Sequence, residues 1–219
     1  MELEFWKDRW SRGETGWHAT HINAHLQEYW PRLGIEPGAL VFVPLCGKSQ
    51  DMLWLAGQGY RVRGVEISDL AVEAFFDENR VTPEVTTEAN FARYRVDEIE
   101  ILCGDFFDLA PAHLNGVSAI YDRASLIALP PEMRRDYATH LQALADPETR
   151  ILLMTLDYDQ ALMSGPPFSV HEPEVREILG DRFDIRQLAT LDVLNENARF
   201  RERGLTALDE RVYELHPKS

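Results

Sequence analysis

The sequence predicts an α/β fold in which one mostly parallel sheet carries helices on both of its faces. From about residue 40 to residue 156, apolar runs of strand length alternate with longer segments of helical periodicity. The chain has 219 residues, 45% of them hydrophobic and 27% charged, which is typical of a folded protein with a sizeable core. Residues 1–219 are therefore predicted to form a single domain.

The first predicted unit is a strand, a helix and a second strand. Leu40–Val43 is a continuous apolar run, which is typical of a strand buried on both faces. The segment PLCGKS at residues 44–49 follows as a tight turn that leads into a helical pattern. Residues 60–65 are predicted as the second strand, and Ser68 suits the N-cap of the next helix.

Five more strands complete a predicted sheet of seven. Pro131 suits the first turn of a helix that is expected to run to Ala145. The last two strands lie close in sequence, so we expect an antiparallel hairpin at one edge of the sheet. Parallel strands with right-handed crossovers place a ligand at the carboxyl ends of the strands. The five strands are predicted at Ile99–Cys103, 117–121, 151–156, 183–191 and 211–215, with a short helix at 174–179.

Residues 1–38 form an aromatic-rich N-terminal segment, in which polar residues and two glycines separate the rings. Its length predicts an arm or lid that packs over the ligand edge of the sheet. For any single ring, the alternative of an additional core residue is equally open. The aromatic residues are Phe5, Trp6, Trp10, Trp17, Tyr29 and Trp30.

Charge and hydropathy exclude several classes of partner. The chain has 22 Lys and Arg against 37 Asp and Glu, a net charge of −15, and its positive residues form no basic stripe. This balance disfavours nucleic acid and anionic membrane. No apolar run is long enough to span a bilayer, and the acidic, aromatic N-terminus is unlike a signal peptide. We expect a cytoplasmic protein in which Cys46 and Cys103 are reduced.

The turn at 44–49 favours a ligand without a phosphate group. It ends in Gly-Lys-Ser, but a phosphate-binding loop needs a glycine five residues before Gly47, and Phe42 stands there. The Gly-x-Gly-x-x-Gly fingerprint of dinucleotide sites is also absent. An amino-acid and sulfonium moiety with a ribose attached would suit such a turn.

Three polar residues follow successive predicted strands. Glu66 ends the second strand, where an acid can accept both hydroxyls of a ribose, although it could also be a solvated acid. Asp105 could accept the exocyclic amine of an adenine while Phe106 covers the ring; the alternative is a turn cap beside a core phenylalanine. Arg123 could hold a carboxylate, a thiolate or a ring nitrogen, or form an ion pair with Asp122 or another nearby acid.

Other chemistries find little support. His18, His21 and His25 have the spacing of one helical face, but no Glu or Cys in the sequence evidently supports them as a metal site, so we expect no metal. The chain has no Gly-x-Ser-x-Gly elbow, and neither cysteine has a histidine close in sequence. We expect the chemistry to belong to a bound cofactor.

Several motifs in chain order resemble the thiopurine S-methyltransferase family, in particular its bacterial branch. The resemblance covers nearly the whole chain. It implies a Rossmann-like methyltransferase fold that uses S-adenosylmethionine to methylate the sulfur of aromatic and heterocyclic thiols such as thiopurines, leaving S-adenosylhomocysteine. The motifs are FWKDRW at 5–10, GWH at 16–18, FVPLCGKS at 42–49, GVEIS at 64–68, YDRASLIAL at 121–129 and GPPF at 165–168.

The resemblance also implies which residues form the site. Arg123 and Arg199 would stabilise the anionic form of the acceptor thiol, and Trp17 would cover the site and exclude water. A monomer that acts on a small-molecule thiol is expected. The residues that would line the cofactor site are Trp6, Trp10, Leu45, Glu66, Asp105, Phe106 and Arg123.

Three other functions stay open at this point. A nicotinamide-dependent oxidoreductase could use a similar sheet, but the missing glycine fingerprint disfavours it. A methyltransferase that acts on selenium or tellurium compounds would have the same cofactor. A non-catalytic relative would bind S-adenosylmethionine without transferring its methyl group.

Overall fold

A mixed nine-stranded sheet forms the centre of the structure, a computed structural model that describes residues 3–16 and 18–218. The strands are β1 (Leu40–Val43), β2 (Arg61–Glu66), β3 (Glu84–Glu88), β4 (Phe91–Val96), β5 (Ile99–Cys103), β6 (Val117–Arg123), β7 (Arg150–Asp157), β8 (Phe183–Asp192) and β9 (Asp209–Pro217). Their order is β3-β4-β5-β2-β1-β6-β7-β9-β8. The five central strands are parallel, namely β5, β2, β1, β6 and β7. The strands on either side of them pair in antiparallel fashion.

Helices cover both faces of the sheet. The first face packs against α2, α3 and α4, and the second face packs against α5 and α6. None of the helices in the described residues has the length and apolar content needed to cross a bilayer. The helices are α1 (Leu3–Ser11), α2 (Ala24–Tyr29), α3 (Asp51–Gly57), α4 (Asp69–Glu78), α5 (Pro131–Leu144), α6 (Glu172–Leu179) and α7 (Ala198–Glu202).

The sheet has nine strands where seven were predicted, because a second antiparallel hairpin, β3–β4, lies at the edge opposite β8. In β3 the sequence is EVTTE and four of its five side chains are exposed, so it has no buried face to produce apolar alternation. Three other predicted features are confirmed. The hairpin β8–β9 lies at one edge, Pro131 begins α5, and Ser68 Oγ accepts a hydrogen bond from Ala71 N at the start of α4.

One buried carboxylate anchors the N-terminal segment to the sheet. Asp51 is 2% exposed, and its two oxygens accept hydrogen bonds from Asn23 N (2.8 Å) and from Tyr121 Oη (2.9 Å). It therefore joins the start of α2 to α3 and β6. Tyr29 and Trp30 are buried in the core beside it, as the alternative interpretation of the aromatic residues allowed.

We predict that Asp51→Ala destabilises the protein by about 2–4 kcal/mol, because two buried donors lose their acceptor. Urea unfolding followed by tryptophan fluorescence measures the change. Asp77→Ala, at an exposed position of α4, is the control and is expected to stay within about 0.5 kcal/mol of the parent protein. Equal stability of the two variants would show that Asp51 does not anchor the segment.

Candidate functional site

The candidate site lies where the carboxyl ends of the parallel strands meet. The strand β1 lies between β2, which follows it in the chain, and β6, which comes later. The direction in which strands are added to the sheet therefore reverses at β1. Open α/β sheets bind ligands in the crevice at such a reversal. The turn at 44–49, Glu66, Asp105 and Arg123 all belong to this edge.

The turn after β1 fits closely against β2. Cys46 N donates a hydrogen bond to Val65 O (2.9 Å), and a Cβ atom on Gly64 would lie 2.6 Å from Cys46 Sγ. Only glycine at position 64 leaves room for this approach. Leu45 and Gly47 have φ values of +44° and +52°, so the turn presents its backbone in the left-handed conformation. Burial raises the pKa of the Cys46 thiol, which is therefore neutral.

Glu66 is buried and bridges the two loops that follow β1 and β2. Its Oε2 accepts a hydrogen bond from Gly47 N and its Oε1 accepts one from Ser68 N, each at 2.9 Å. Burial raises the pKa of Glu66, and the hydrogen bonds from the backbone act in the opposite direction. The interpretation as a solvated acid is wrong, since Glu66 is only 5% exposed. A carboxylate has about four acceptor positions, so these backbone contacts leave capacity for a ligand hydroxyl.

The N-terminal segment covers the turn. The Trp10 ring lies over Gly47: a Cβ atom added to Gly47 would be 3.2 Å from Trp10 Cζ2. Trp6 is half-buried and meets Phe5 edge to face, with ring centroids 5.3 Å apart. Since α1 also packs against α4, this segment forms one wall of the crevice. Trp17, the residue expected to cover the acceptor, lies outside the described residues.

Asp105 and Phe106 lie as the alternative interpretation predicts, the first as a turn cap and the second as a core residue. Asp105 Oδ1 accepts a hydrogen bond from Phe107 N (2.9 Å), so its side chain caps a short 3₁₀ turn. The Phe106 ring is 3% exposed and lies against the rings of Tyr137 (4.8 Å) and His140 (5.2 Å). Phe106 is thus a core residue here, and its contact with an adenine stays a prediction.

Arg123 points into the crevice and does not pair with its neighbour. Side chains alternate along β6, and Asp122 is buried on the opposite face, where it accepts hydrogen bonds from Tyr137 Oη (2.7 Å) and Leu126 N (3.3 Å). The proposed Asp122–Arg123 ion pair is therefore wrong. Within the described residues, no salt bridge involves Arg123.

Arg199 approaches the same edge from α7. A Cβ atom on Gly16 would lie 3.0 Å from Arg199 Nη1, so the guanidinium sits beneath the N-terminal segment. Desolvation is the main cause that lowers the pKa of Arg199, and the positive charges of Arg203 and Arg123 add to it. The charges of Arg199 and Arg123 act on each other, and neither arginine has an ion-pair partner in the part of the chain that the structure describes. Together they can therefore attract an anion.

Sequence reasoning missed Glu210, which lies at the same edge on β9. Its Oε2 is 4.0 Å from His25 Nε2, and its side chain is 19% exposed. The predicted strand began at residue 211, which left Glu210 in a loop. The register of the β7–β9 pair, with Leu156 opposite Glu210, is the signal that brings it to the ligand edge.

Residues 3–16 and 18–218 contain no group of three His, Cys, Asp or Glu side chains that could hold a metal ion. Of the three histidines considered for a metal, His25 lies beside Glu210 instead. Burial is the main cause that lowers the pKa of His18, and the charges of Lys48 and Arg123 lower it further.

Comparison with known proteins gives a consistent result. A family model described as thiopurine S-methyltransferase matches residues 1–218. A thiopurine S-methyltransferase of Nitrosospira multiformis is 53% identical over 215 residues, which cover 98% of this chain and 98% of that protein. One of Azotobacter vinelandii is 52% identical and covers 98% and 99% of the two chains.

Solved structures share the fold. The 1,6-didemethyltoxoflavin-N1-methyltransferase of Burkholderia thailandensis, crystallised with 1,6-didemethyltoxoflavin and S-adenosylhomocysteine, has a TM-score of 0.65 and 16% identity, covering 99% of this chain and 87% of that one. The magnesium protoporphyrin IX methyltransferase of Synechocystis, with bound S-adenosylhomocysteine, has a TM-score of 0.63 and 21% identity, covering 96% and 99%. At these identities the likeness concerns the fold alone.

Asp122 generates a prediction on pH and stability. Burial raises the pKa of this carboxyl from an ordinary 3.8 to about 6 in the folded protein. The folded state then binds the proton more tightly than the unfolded state, so stability falls as pH rises from about 4 to about 6. We predict that Asp122→Asn gains up to about 3 kcal/mol relative to the parent protein across this range, because the amide does not ionise.

Urea unfolding at a series of pH values between about 4 and about 7 tests this prediction. Asp181→Asn, at an exposed residue, controls for the change in net charge. A stability difference between Asp122→Asn and the parent protein that is constant with pH would contradict the raised pKa.

Proposed function

Because this chain belongs to the thiopurine S-methyltransferase family, we propose that the edge of the sheet between Glu66 and Glu210 is where a methyl group passes from cofactor to thiol. The protein is an S-adenosylmethionine-dependent methyltransferase, and its methyl acceptor is the sulfur of aromatic and heterocyclic thiols such as thiopurines. The predicted methyltransferase fold is confirmed, with two strands more than expected.

The buried Glu66 carboxylate carries the cofactor assignment. It is held by Gly47 N and Ser68 N at the carboxyl end of β2, where its remaining acceptor capacity suits the hydroxyls of a ribose. The turn offers one glycine for close backbone approach and no phosphate-binding loop, which suits an amino-acid and sulfonium moiety. The residues present therefore fit S-adenosylmethionine, which supplies an electrophilic methyl group when bound.

The remaining cofactor contacts follow from the walls of the crevice. We assign Trp10, over Gly47, to the amino-acid end, with Trp6 beside it on α1 and Leu45 in the turn. Asp105 would accept the adenine amine with the carboxylate oxygen that does not cap the 3₁₀ turn, and Phe106 would support that loop from the core. In this arrangement α1 shields the cofactor from water.

Arg123 and Arg199 are proposed to hold the acceptor sulfur as an anion. Their charges act on each other, and neither is neutralised by an ion pair within the described residues, so a thiolate gains from both. Aromatic and heterocyclic thiols ionise readily, and the main task of the protein is to hold sulfur and methyl carbon in line. Orientation of this kind is worth effective molarities of roughly 10⁵–10⁸ M. Trp17 is proposed to cover the acceptor.

The wider setting is also proposed. A small-molecule site of this kind needs no second chain, so we propose a monomer built as one domain with residues 1–38 as a lid. The net charge of −15 supports a small-molecule substrate over nucleic acid. Cys46 and Cys103 are both free, which fits the reducing cytoplasm.

We predict that Glu66→Ala weakens binding of S-adenosylhomocysteine by at least about 100-fold, because two hydrogen bonds to a carboxylate are lost. Calorimetric titration measures the dissociation constant. Glu73→Ala, at an exposed position of α4, is the matched control and should bind as the parent protein does. Unchanged affinity of Glu66→Ala would remove the ribose assignment, and no binding by the parent protein would remove the cofactor site.

We also predict that Arg123→Ala lowers kcat/KM for a thiopurine by about 10- to 100-fold, since the thiolate loses a charged partner. Arg123→Lys keeps the charge and should lie between the two. Formation of the S-methyl product is followed by chromatography, which also separates catalysis from cofactor binding alone. Arg95→Ala, at the exposed surface of β4, is the control. Normal kcat and KM in Arg123→Ala would contradict the proposed role.

A further inference from the structure

Glu210 and Arg123 face each other across a gap of defined width. Met154 on β7 lies opposite Arg123 on β6, and two residues further along β7, Leu156 lies opposite Glu210 on β9. The strands β6 and β9 are separated by β7 alone, so their backbones are about 10 Å apart. Val212 and Tyr121 pack on the same face of the sheet. Side chains two residues apart in a strand share a face, so Glu210 lies on the face of Val212 and Arg123 on the face of Tyr121. Both charged side chains therefore stand on one face.

The Glu210 carboxylate keeps acceptor positions free although Asn23 and His25 lie beside it. Its Oε2 is 4.0 Å from His25 Nε2, too far for an ordinary hydrogen bond, and its side chain is 19% exposed. Burial raises the pKa of Glu210 and Glu196 adds to this, whereas His25, Arg123 and the amide of Asn23 lower it. A largely buried carboxylate that keeps acceptor positions free is suited to accept a hydrogen bond and a proton.

His25, next to Glu210, has an unsatisfied ring nitrogen. Its Nδ1 is buried and has no hydrogen-bond partner among the described residues. Buried polar atoms are rarely left unpaired without a reason such as a missing ligand or water. The crevice between Arg123 and Glu210 thus combines a cation on one side, a carboxylate and an imidazole on the other, and the apolar strand β7 below.

We propose that Glu210 binds the ring of the methyl acceptor by accepting a hydrogen bond from a ring N–H, and takes that proton during methyl transfer. The inference rests on the proposed function of the site and specifies its acceptor. The preferred thiol is a heterocycle that carries an N–H on the side away from sulfur. Arg123 and Arg199 then face the sulfur, and Glu210 faces the nitrogen.

The proton balance explains why such a group is useful. Many heterocyclic thiols exist as thiones, in which the proton is on a ring nitrogen and the sulfur is neutral. When that sulfur attacks, the new S–CH₃ bond forms as the old bond from the methyl carbon to the sulfonium breaks, and its electron pair stays on the leaving thioether. The ring N–H bond breaks in the same step, and its electrons enter the ring and supply the negative charge on sulfur that Arg123 and Arg199 stabilise. Glu210 receives the proton and returns it to water after the product leaves.

The test compares two acceptors in one variant. A thiopurine has ring N–H groups, whereas thiophenol above neutral pH is a thiolate with no ring donor. Glu210→Gln is expected to lower kcat/KM for the thiopurine by about 10- to 100-fold and to leave thiophenol within about 2-fold. Glu84→Gln, on the exposed edge strand β3, makes the same change in charge and should alter neither.

A second readout does not depend on turnover. Thiopurine absorbance is titrated against the protein saturated with S-adenosylhomocysteine, and Glu210→Gln should raise the dissociation constant of the thiopurine by a similar factor. Equal effects on both acceptors, or unchanged binding and turnover, would overturn the role of Glu210. No methyl transfer by the parent protein to either thiol would instead overturn the proposed function. If Glu210→Gln does not fold, Glu210→Asp decides: it should lower thiopurine turnover alone.

Discussion

The hydrogen bonds from Gly47 N and Ser68 N to the Glu66 carboxylate join the two loops on which the rest of the site depends. They hold the turn after β1 against the start of α4 and fix the direction in which Glu66 points. This arrangement needs the turn to lie close to β2, which the missing side chain of Gly64 permits. Trp10 then rests on Gly47, so the wall formed by α1 is positioned by the same turn.

The neighbouring residues Asp122 and Arg123 show how strand geometry places opposite charges in different surroundings. Their side chains point to opposite faces of β6. Asp122 forms hydrogen bonds within the core, and among the described residues no salt bridge joins it to Arg123. An arginine neutralised by the acid beside it would attract an anionic sulfur much less strongly. The alternation of a β-strand therefore keeps two opposite charges apart although they are adjacent in sequence.

The parallel centre of the fold was predictable because its strands are buried on both faces, as the unbroken apolar run Leu40–Val43 illustrates. The strand β3 was not, since its polar residues carry no such pattern. In the site, the position of Glu66 after a strand was sufficient to indicate its place. Glu210 needed the pairing register of β9, and the core position of Phe106 depends on contacts with α5 that lie far away in sequence.

The exposed edge strand β3 also affects how the protein behaves among its own copies. The unpaired backbone groups of an edge strand are a template on which a second sheet can add. Here the strand begins and ends with Glu84 and Glu88, and the chain as a whole is strongly acidic. Two such edges repel each other, which disfavours the edge-to-edge stacking that leads to fibres. The polar residues of β3, which show no apolar alternation, thus also disfavour self-association of the protein at high concentration.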